Sequence, residues 1–188
     1  MSTAQKLMTV EEFQELPDSP SGERMELVRG VLTMAPPADT GHGQRAFEIG
    51  VALRDLVKAN SLGRITGEGG YLLAEDPDVV RAPDTAWLAK DRRERASDRR
   101  TGYFKGAPNL AVEVVSDSDR DSDVSGKVED YLRFGCDRVW VVRPWQETVT
   151  VFRAGGDAHV YSHGDTLTSA DAAFPVDGFE LPVAQIFA

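Results

Sequence analysis

Apolar residues recur along this chain in two rhythms, and each rhythm predicts a kind of element. From Gly43 to Asn60 the positions Ala46, Phe47, Ile49, Gly50, Leu53, Leu56 and Val57 repeat at steps of three and four, the stripe of an amphipathic helix. A second helix is expected from Asp123 to Phe134, with Val124, Val128, Tyr131 and Leu132 toward the core and Gly135 as its stop. A short helix should follow Thr9, because Thr9 and Glu12 have the spacing of a capping box; Phe13 and Leu16 give its apolar side and Pro17 ends it.

The other rhythm is that of strands. Met25 to Met34 reads as a hairpin turning near Gly30, and Arg64 to Ala74 as one strand with a bulge at its glycines. A Glu-Asp-Pro-Asp turn leads into a strand over Val79 to Leu88. Leu110 to Val115 is apolar at almost every position, as is Arg138 to Val142; such runs fit strands covered on both faces. After a turn at Pro144-Trp145, Thr148 to Phe152 pairs back as a hairpin, and the rest forms small strands and turns. The order of elements gives an α/β fold, a mixed β-sheet flanked by helices.

With 188 residues and 41% hydrophobic content, one domain over residues 1–188 is the natural expectation, with residues 1–8 as a loose tail. No secretory signal or membrane-length apolar run is present, so a cytoplasmic protein without membrane contact is expected. The single cysteine, Cys136, allows no internal disulfide and no cysteine-based zinc site, and is expected to pack as a small hydrophobe. The hairpin around Trp145 and Phe152 offers either a homodimer contact or more core.

The net charge of −10 argues against a surface generally suited to nucleic acid. Lys90 to Lys105 departs from that average, with seven basic residues (Lys90, Arg92, Arg93, Arg95, Arg99, Arg100, Lys105) against three acids. It is either a solvated, salt-bridged segment or a place for phosphate contacts.

Three acids interrupt apolar strands: Glu26, Asp84 and Glu113. A buried carboxylate needs a cation, a metal or a raised pKa, and two carboxylates on neighbouring strands can converge on a hard ion such as Mg2+. Lys127 lies in the first turns of the second long helix, and His42 stands just before the first, at its N-terminus. The aspartates from Asp117 to Asp123 do not form a calcium loop: starting at Asp117 puts Ser122 at the glycine position and Val128 at the bidentate glutamate, and starting at Asp119 puts Val124 at the glycine. They fit a turn and a helix N-terminus, where negative charge is favoured.

The combination Glu26-Leu-Val-Arg-Gly30, His42, Arg81-Ala-Pro83-Asp84, Pro108-Asn-Leu-Ala-Val-Glu113-Val-Val-Ser116, Lys127 with Tyr131, and Val139-Trp140-Val-Val resembles the Uma-two family of restriction endonucleases, a branch of the PD-(D/E)XK nuclease superfamily. The resemblance runs from about Thr9 to Phe187 and implies a restriction-endonuclease-like core. It implies Asp84 and Glu113 as metal-binding acids, Glu26 as an additional one, and Mg2+ or Mn2+ as cofactor. The superfamily's lysine usually lies two positions after the glutamate, where this chain has Val115; the resemblance makes Lys127 the substitute. Family members often carry aspartate-proline after the tryptophan strand, where this chain has Arg143-Pro144.

The expected activity is therefore metal-dependent hydrolysis of DNA phosphodiester bonds, with Glu26, Asp84 and Glu113 placing the metal, Lys127 assisting the water and His42 as an auxiliary group. Two alternatives use the same residues: a nuclease-fold binding or assembly module without hydrolytic activity, and a hydrolase of a small phosphorylated substrate.

Overall fold

The computed structural model describes residues 6–92 and 102–188. Thr9 caps α1 (Val10–Gln14) through the capping box, and Phe13 is buried beneath it. β1 (Arg24–Val28) and β2 (Val31–Ala35) form the hairpin; Arg29 and Gly30 both have positive φ, the backbone a two-residue turn requires. Of the expected tail over residues 1–8, Met1–Gln5 lie outside the described residues. Met8 is tied down, its N–H donating to the Gly30 carbonyl at 2.8 Å.

α2 (Thr40–Ala59) begins three residues earlier than its apolar stripe suggested, because Asp39 caps it by accepting from the His42 N–H at 2.9 Å. His42 is thus inside the first turn of the helix, not ahead of it. The Arg64–Ala74 stretch is two strands rather than one with a bulge. β3 (Gly63–Gly67) and β4 (Tyr71–Ala74) separate at Glu68, which has a positive φ, and join different sheets. The expected strand from Val79 to Leu88 also divides, at Ala82-Pro83-Asp84, into β5 (Val79–Arg81) and β6 (Thr85–Ala89). Proline has no N–H for a ladder, so a break there follows from the backbone chemistry.

The remaining elements are β7 (Phe104–Lys105), β8 (Leu110–Val114), α3 (Asp121–Arg133), β9 (Arg138–Arg143), a 3-10 turn at Pro144–Gln146, β10 (Thr148–Arg153), β11 (Ala158–Tyr161), β12 (Thr166–Thr168), β13 (Glu180–Pro182) and α4 (Val183–Ile186). The fold is mixed α/β as expected, and among the described residues its strands divide into two mixed sheets and a small hairpin. The larger has the order β11-β10-β9-β8-β6-β3, the second β2-β1-β5-β4-β7, and β12-β13 stand apart. β8 and β9 run parallel, joined through α3, while β6 and β8 are antiparallel.

Period-two alternation sorts the central strands between two cores. Trp87, Leu110, Val112, Trp140 and Val142 face the cluster under α2, with Ile49, Leu53 and Val57. Ala86, Leu88, Ala111, Val139 and Val141 face the opposite cluster with Val124, Val128 and Tyr131 of α3 and Tyr71 of the second sheet. All five residues of β8 are buried, as expected of a strand covered on both faces. Trp140 and Tyr131 are fully enclosed; burying one such side chain contributes about 1.5–3 kcal/mol. Cys136 is buried too. At the far hairpin Trp145 is 71% exposed, while Phe152 packs against the second core.

Candidate functional site

Asp84 immediately precedes Thr85, which pairs with Val112, so its side chain meets β8 beside Glu113. Its Oδ2 accepts from the Val114 N–H at 2.7 Å. Its Oδ1 accepts from Arg24 of β1, and His42 Nε2 lies 3.0 Å from the same oxygen. Neither imidazole nitrogen has an aligned hydrogen-bond partner, so the His42 approach is a close contact rather than a formed bond. Burial would raise the Asp84 carboxyl; the nearby His42, the Arg24 guanidinium and the Val114 N–H outweigh it and hold the group below the usual carboxylate range.

Glu113 has the parity of Ala111 and so points into the core that α3 covers. There Lys127 Nζ donates to its Oε2 at 2.7 Å and the Tyr131 hydroxyl to its Oε1 at 2.8 Å. Burial pushes the Glu113 carboxyl up to about 7, with Asp84 and Glu26 adding to the rise and Lys127 opposing it. Burial pulls the Lys127 ammonium down, but the charges of Glu113 and Glu26 prevail and leave it raised. The Tyr131 hydroxyl, enclosed and facing Glu113, is raised well above its ordinary value.

Glu26 closes the cluster from β1. Its Oε1 lies 4.0 Å from Lys127 Nζ and accepts from the Ala82 N–H at 2.9 Å, while its Oε2 accepts from Arg81 at 2.8 Å. Arg81 also bonds Asp130 Oδ2 through Nε at 3.0 Å and a terminal nitrogen at 2.6 Å, and Arg29 reaches Asp130 Oδ1 at 2.8 Å. Burial opposes the Arg81 charge, yet Glu26 and Asp130 hold it more firmly protonated than usual.

The structure thus brings Glu113, Lys127 and Glu26 together, with Asp84 and His42 adjoining them. Arg24, Arg81 and Asp130 were not singled out from the sequence. A signal was present: Lys127, Asp130 and Tyr131 occupy i, i+3 and i+4, one face of α3.

The Lys90–Lys105 segment is described only at its ends; Arg93, Arg95, Arg99 and Arg100 lie outside the described residues. Arg92 turns into the protein, donating to the carbonyls of Ala107, Pro108 and Gly135 and pairing with Asp137 at 2.9 Å. Lys105 pairs with Glu75.

The donor chemistry around Asp84 and Glu113 is that of carboxylate oxygen. Among the described residues no three His, Cys, Asp or Glu side chains gather closely enough to hold one ion. Two carboxylates with waters suffice for Mg2+, which seldom occupies an all-protein cage. Asp84 and Glu113 thus supply the type of donor a hard divalent ion takes, with each carboxylate already bonded to protein groups. No helix among the described residues is long and apolar enough to cross a membrane.

Residues 10–184 match the profile of the Uma2 family, described as "Putative restriction endonuclease". A crystal structure of a putative nuclease belonging to DUF820 from Anabaena variabilis ATCC 29413, at 1.96 Å resolution, is similar in fold. Its TM-score is 0.77 at 19% identity, over 96% of this chain and 97% of that one. No curated protein matches the chain. With the family profile spanning nearly all of its two-sheet core, the chain belongs to the Uma2 family and has the fold of that nuclease structure.

Proposed function

We propose that the protein is a metal-dependent endonuclease that hydrolyses DNA phosphodiester bonds. The observation that carries this reading is the meeting of Glu113 and Lys127, 2.7 Å apart across the turn from β8 to α3, beside Asp84 on the adjoining strand. Asp84 and Glu113 would hold Mg2+ or Mn2+, which when bound neutralises charge on the scissile phosphate and makes the attacking water more acidic. Lys127 Nζ orients that water and offsets negative charge that develops on the phosphate. Tyr131, donating to Glu113 Oε1, fixes the carboxylate beside Lys127. Glu26 holds the ammonium from its other flank, and His42, buried against Asp84 at 3.0 Å, supports that carboxylate.

Plasmid cleavage by the purified protein with Mg2+, with Mn2+ and with chelator tests the reading. Cleavage should require the metal and fall by at least about a hundredfold in Asp84→Asn and Lys127→Ala, the cost of removing one preorganised electrostatic group. Unchanged activity in both variants would overturn the site.

One observation favours a second reading, a binding or assembly module without hydrolysis. Each acid already has a cationic partner: Asp84 has Arg24, Glu113 has Lys127 and Glu26 has Arg81. Calorimetric titration with Mn2+ separates the two, since a centre of this kind without metal affinity belongs to the second.

A further inference from the structure

One stripe of α2 runs away from the site and changes character along its length. Gly43, Phe47, Gly50, Arg54 and Lys58 follow one another at steps of three and four, with Val51 beside them, so they form a ridge along one face. From Gly43 to Lys58 the ridge is about 22 Å long at 1.5 Å per residue. It borders two clefts against β3. The first, of about 420 Å³, contains Asp84 and His42 at one end and Phe47 on its wall, with Glu68 also among its lining residues. The second is lined by Arg54, Lys58, Arg64 and Lys90 and, among the described residues, by no acid. Arg54 and Ile65 line both, so the two clefts adjoin along α2 and β3.

Two features of this groove stand against the rest of the molecule. In a chain of net charge −10, the cations Arg54, Lys58 and Lys90 line one cleft with no carboxylate among its described lining residues, while the Arg64 guanidinium packs over Phe104 at 5.1 Å. Asp55, next to Arg54 in sequence, pairs with it at 3.4 Å on an exposed part of the helix. Phe47 is 68% exposed although it lies in the middle of the apolar stripe. The positions four before and three after it are glycines. A side chain at Gly43 would meet nothing within 4 Å, and one at Gly50 would only touch Thr85 and Ile65 at ordinary contact distance. The ring is therefore flanked by low ground on both sides, and its face is open to a flat partner.

We infer that this groove is the track of a polynucleotide strand, with Arg54, Lys58 and Lys90 on successive phosphates and Phe47 stacked on an unpaired base next to the bond at Asp84. The inference rests on the nuclease reading for the direction of the strand, but not for its binding. Cations in a groove attract a polyanion and release its counterions, and an open aromatic face stacks on any base that is not already stacked in a duplex. The strand at the site is accordingly single-stranded or locally opened.

The test is fluorescence anisotropy with a labelled oligonucleotide of about 20 nucleotides and its duplex form, with chelator present so that no cleavage occurs. For the single strand, the Arg54→Ala/Lys58→Ala double variant should flatten the slope of log affinity against log salt by about 1.4, at roughly 0.7 per phosphate contact. Phe47→Ala should keep the wild-type slope, weaken single-strand binding about tenfold, within the range for one stacked base, and leave duplex binding nearly unchanged. Lys105→Ala, a cation outside the groove, should bind as wild type does. All substituted positions are exposed, and unchanged melting curves establish that each variant is folded. The proposal is overturned if wild type binds neither form at low salt, or if the double variant and Phe47→Ala both match it. Binding with these signatures but no cleavage would sink the hydrolytic reading and leave the track standing. Cleavage without these signatures would do the reverse.

Discussion

Arg81 and Asp130 bond twice, Nε at 3.0 Å and a terminal nitrogen at 2.6 Å, and both are buried where β5 meets α3. The same guanidinium holds Glu26 of β1. One side chain thus ties two strands of the second sheet to the helix that carries Lys127. Without Asp130 the buried Arg81 keeps only Glu26 as a carboxylate partner, with two of its N–H groups unsatisfied. Asp130→Ala should therefore lower stability by about 1–3 kcal/mol, read as a fall in the urea midpoint. Arg81→Lys keeps the charge but loses the planar fork, so it should recover only part of the wild-type midpoint. A midpoint unchanged in Asp130→Ala would mean that the helix is held by its apolar face alone.

Tyr131 gives a finer probe of the site, because its hydroxyl serves a single carboxylate oxygen. Tyr131→Phe removes one atom and leaves Glu113 Oε1 buried without its donor. The expected loss of stability is about 1–3 kcal/mol. Cleavage should weaken, but by less than in Lys127→Ala, since the ammonium remains on Oε2. Equal losses in the two variants would show that Tyr131 does more than fix the carboxylate.

Acid sensitivity should have a structural source far from the site, at Asp171. Burial would raise this carboxyl, but hydrogen bonds from the Tyr161 hydroxyl, the Thr168 N–H and hydroxyl, and Arg153 hold it below its ordinary value. A depressed folded value means that the contribution is complete above the unfolded carboxyl's pKa of about 4, and is lost as pH falls through the folded value. Asp171→Asn should cost about 1–3 kcal/mol at neutral pH and progressively less below about pH 4. Denaturant midpoints of both proteins from neutral pH to pH 2 check this; parallel curves would rule Asp171 out as the source.

Much of the local structure can be read from residue order. The Thr9–Glu12 box, the hairpin at Gly30 and the doubly covered Glu113 strand each follow from a pattern within ten residues. Which sheet a strand joins does not. Val79–Leu88 reads as a single strand with Arg81 and Asp84 set into it, yet Pro83 sends its two halves into different sheets, and the β1 and β8 partners that decide this lie far off in sequence. The same holds for the site. Buried acids announce themselves by interrupting apolar runs, which brings Glu26, Asp84 and Glu113 into view. Their partners do not, because Arg24 and Asp130 sit in strand and helix positions where a charge ordinarily faces water. Only the shared face of Lys127, Asp130 and Tyr131 hints that α3 turns charge inward.

The break at Pro83 has a consequence for how the protein matures. Asp84 lies at the crossing from one sheet to the other, bonded forward to Val114 in the larger and back to Arg24 in the smaller. Neither sheet alone assembles the cluster: the first lacks Glu26 and Arg24, and the second lacks Glu113 and the helix that follows it. A chain still emerging from synthesis, or one that has folded by halves, therefore carries the parts of the centre without the centre itself. The constellation exists only where both sheets and the helix after Glu113 are in place together.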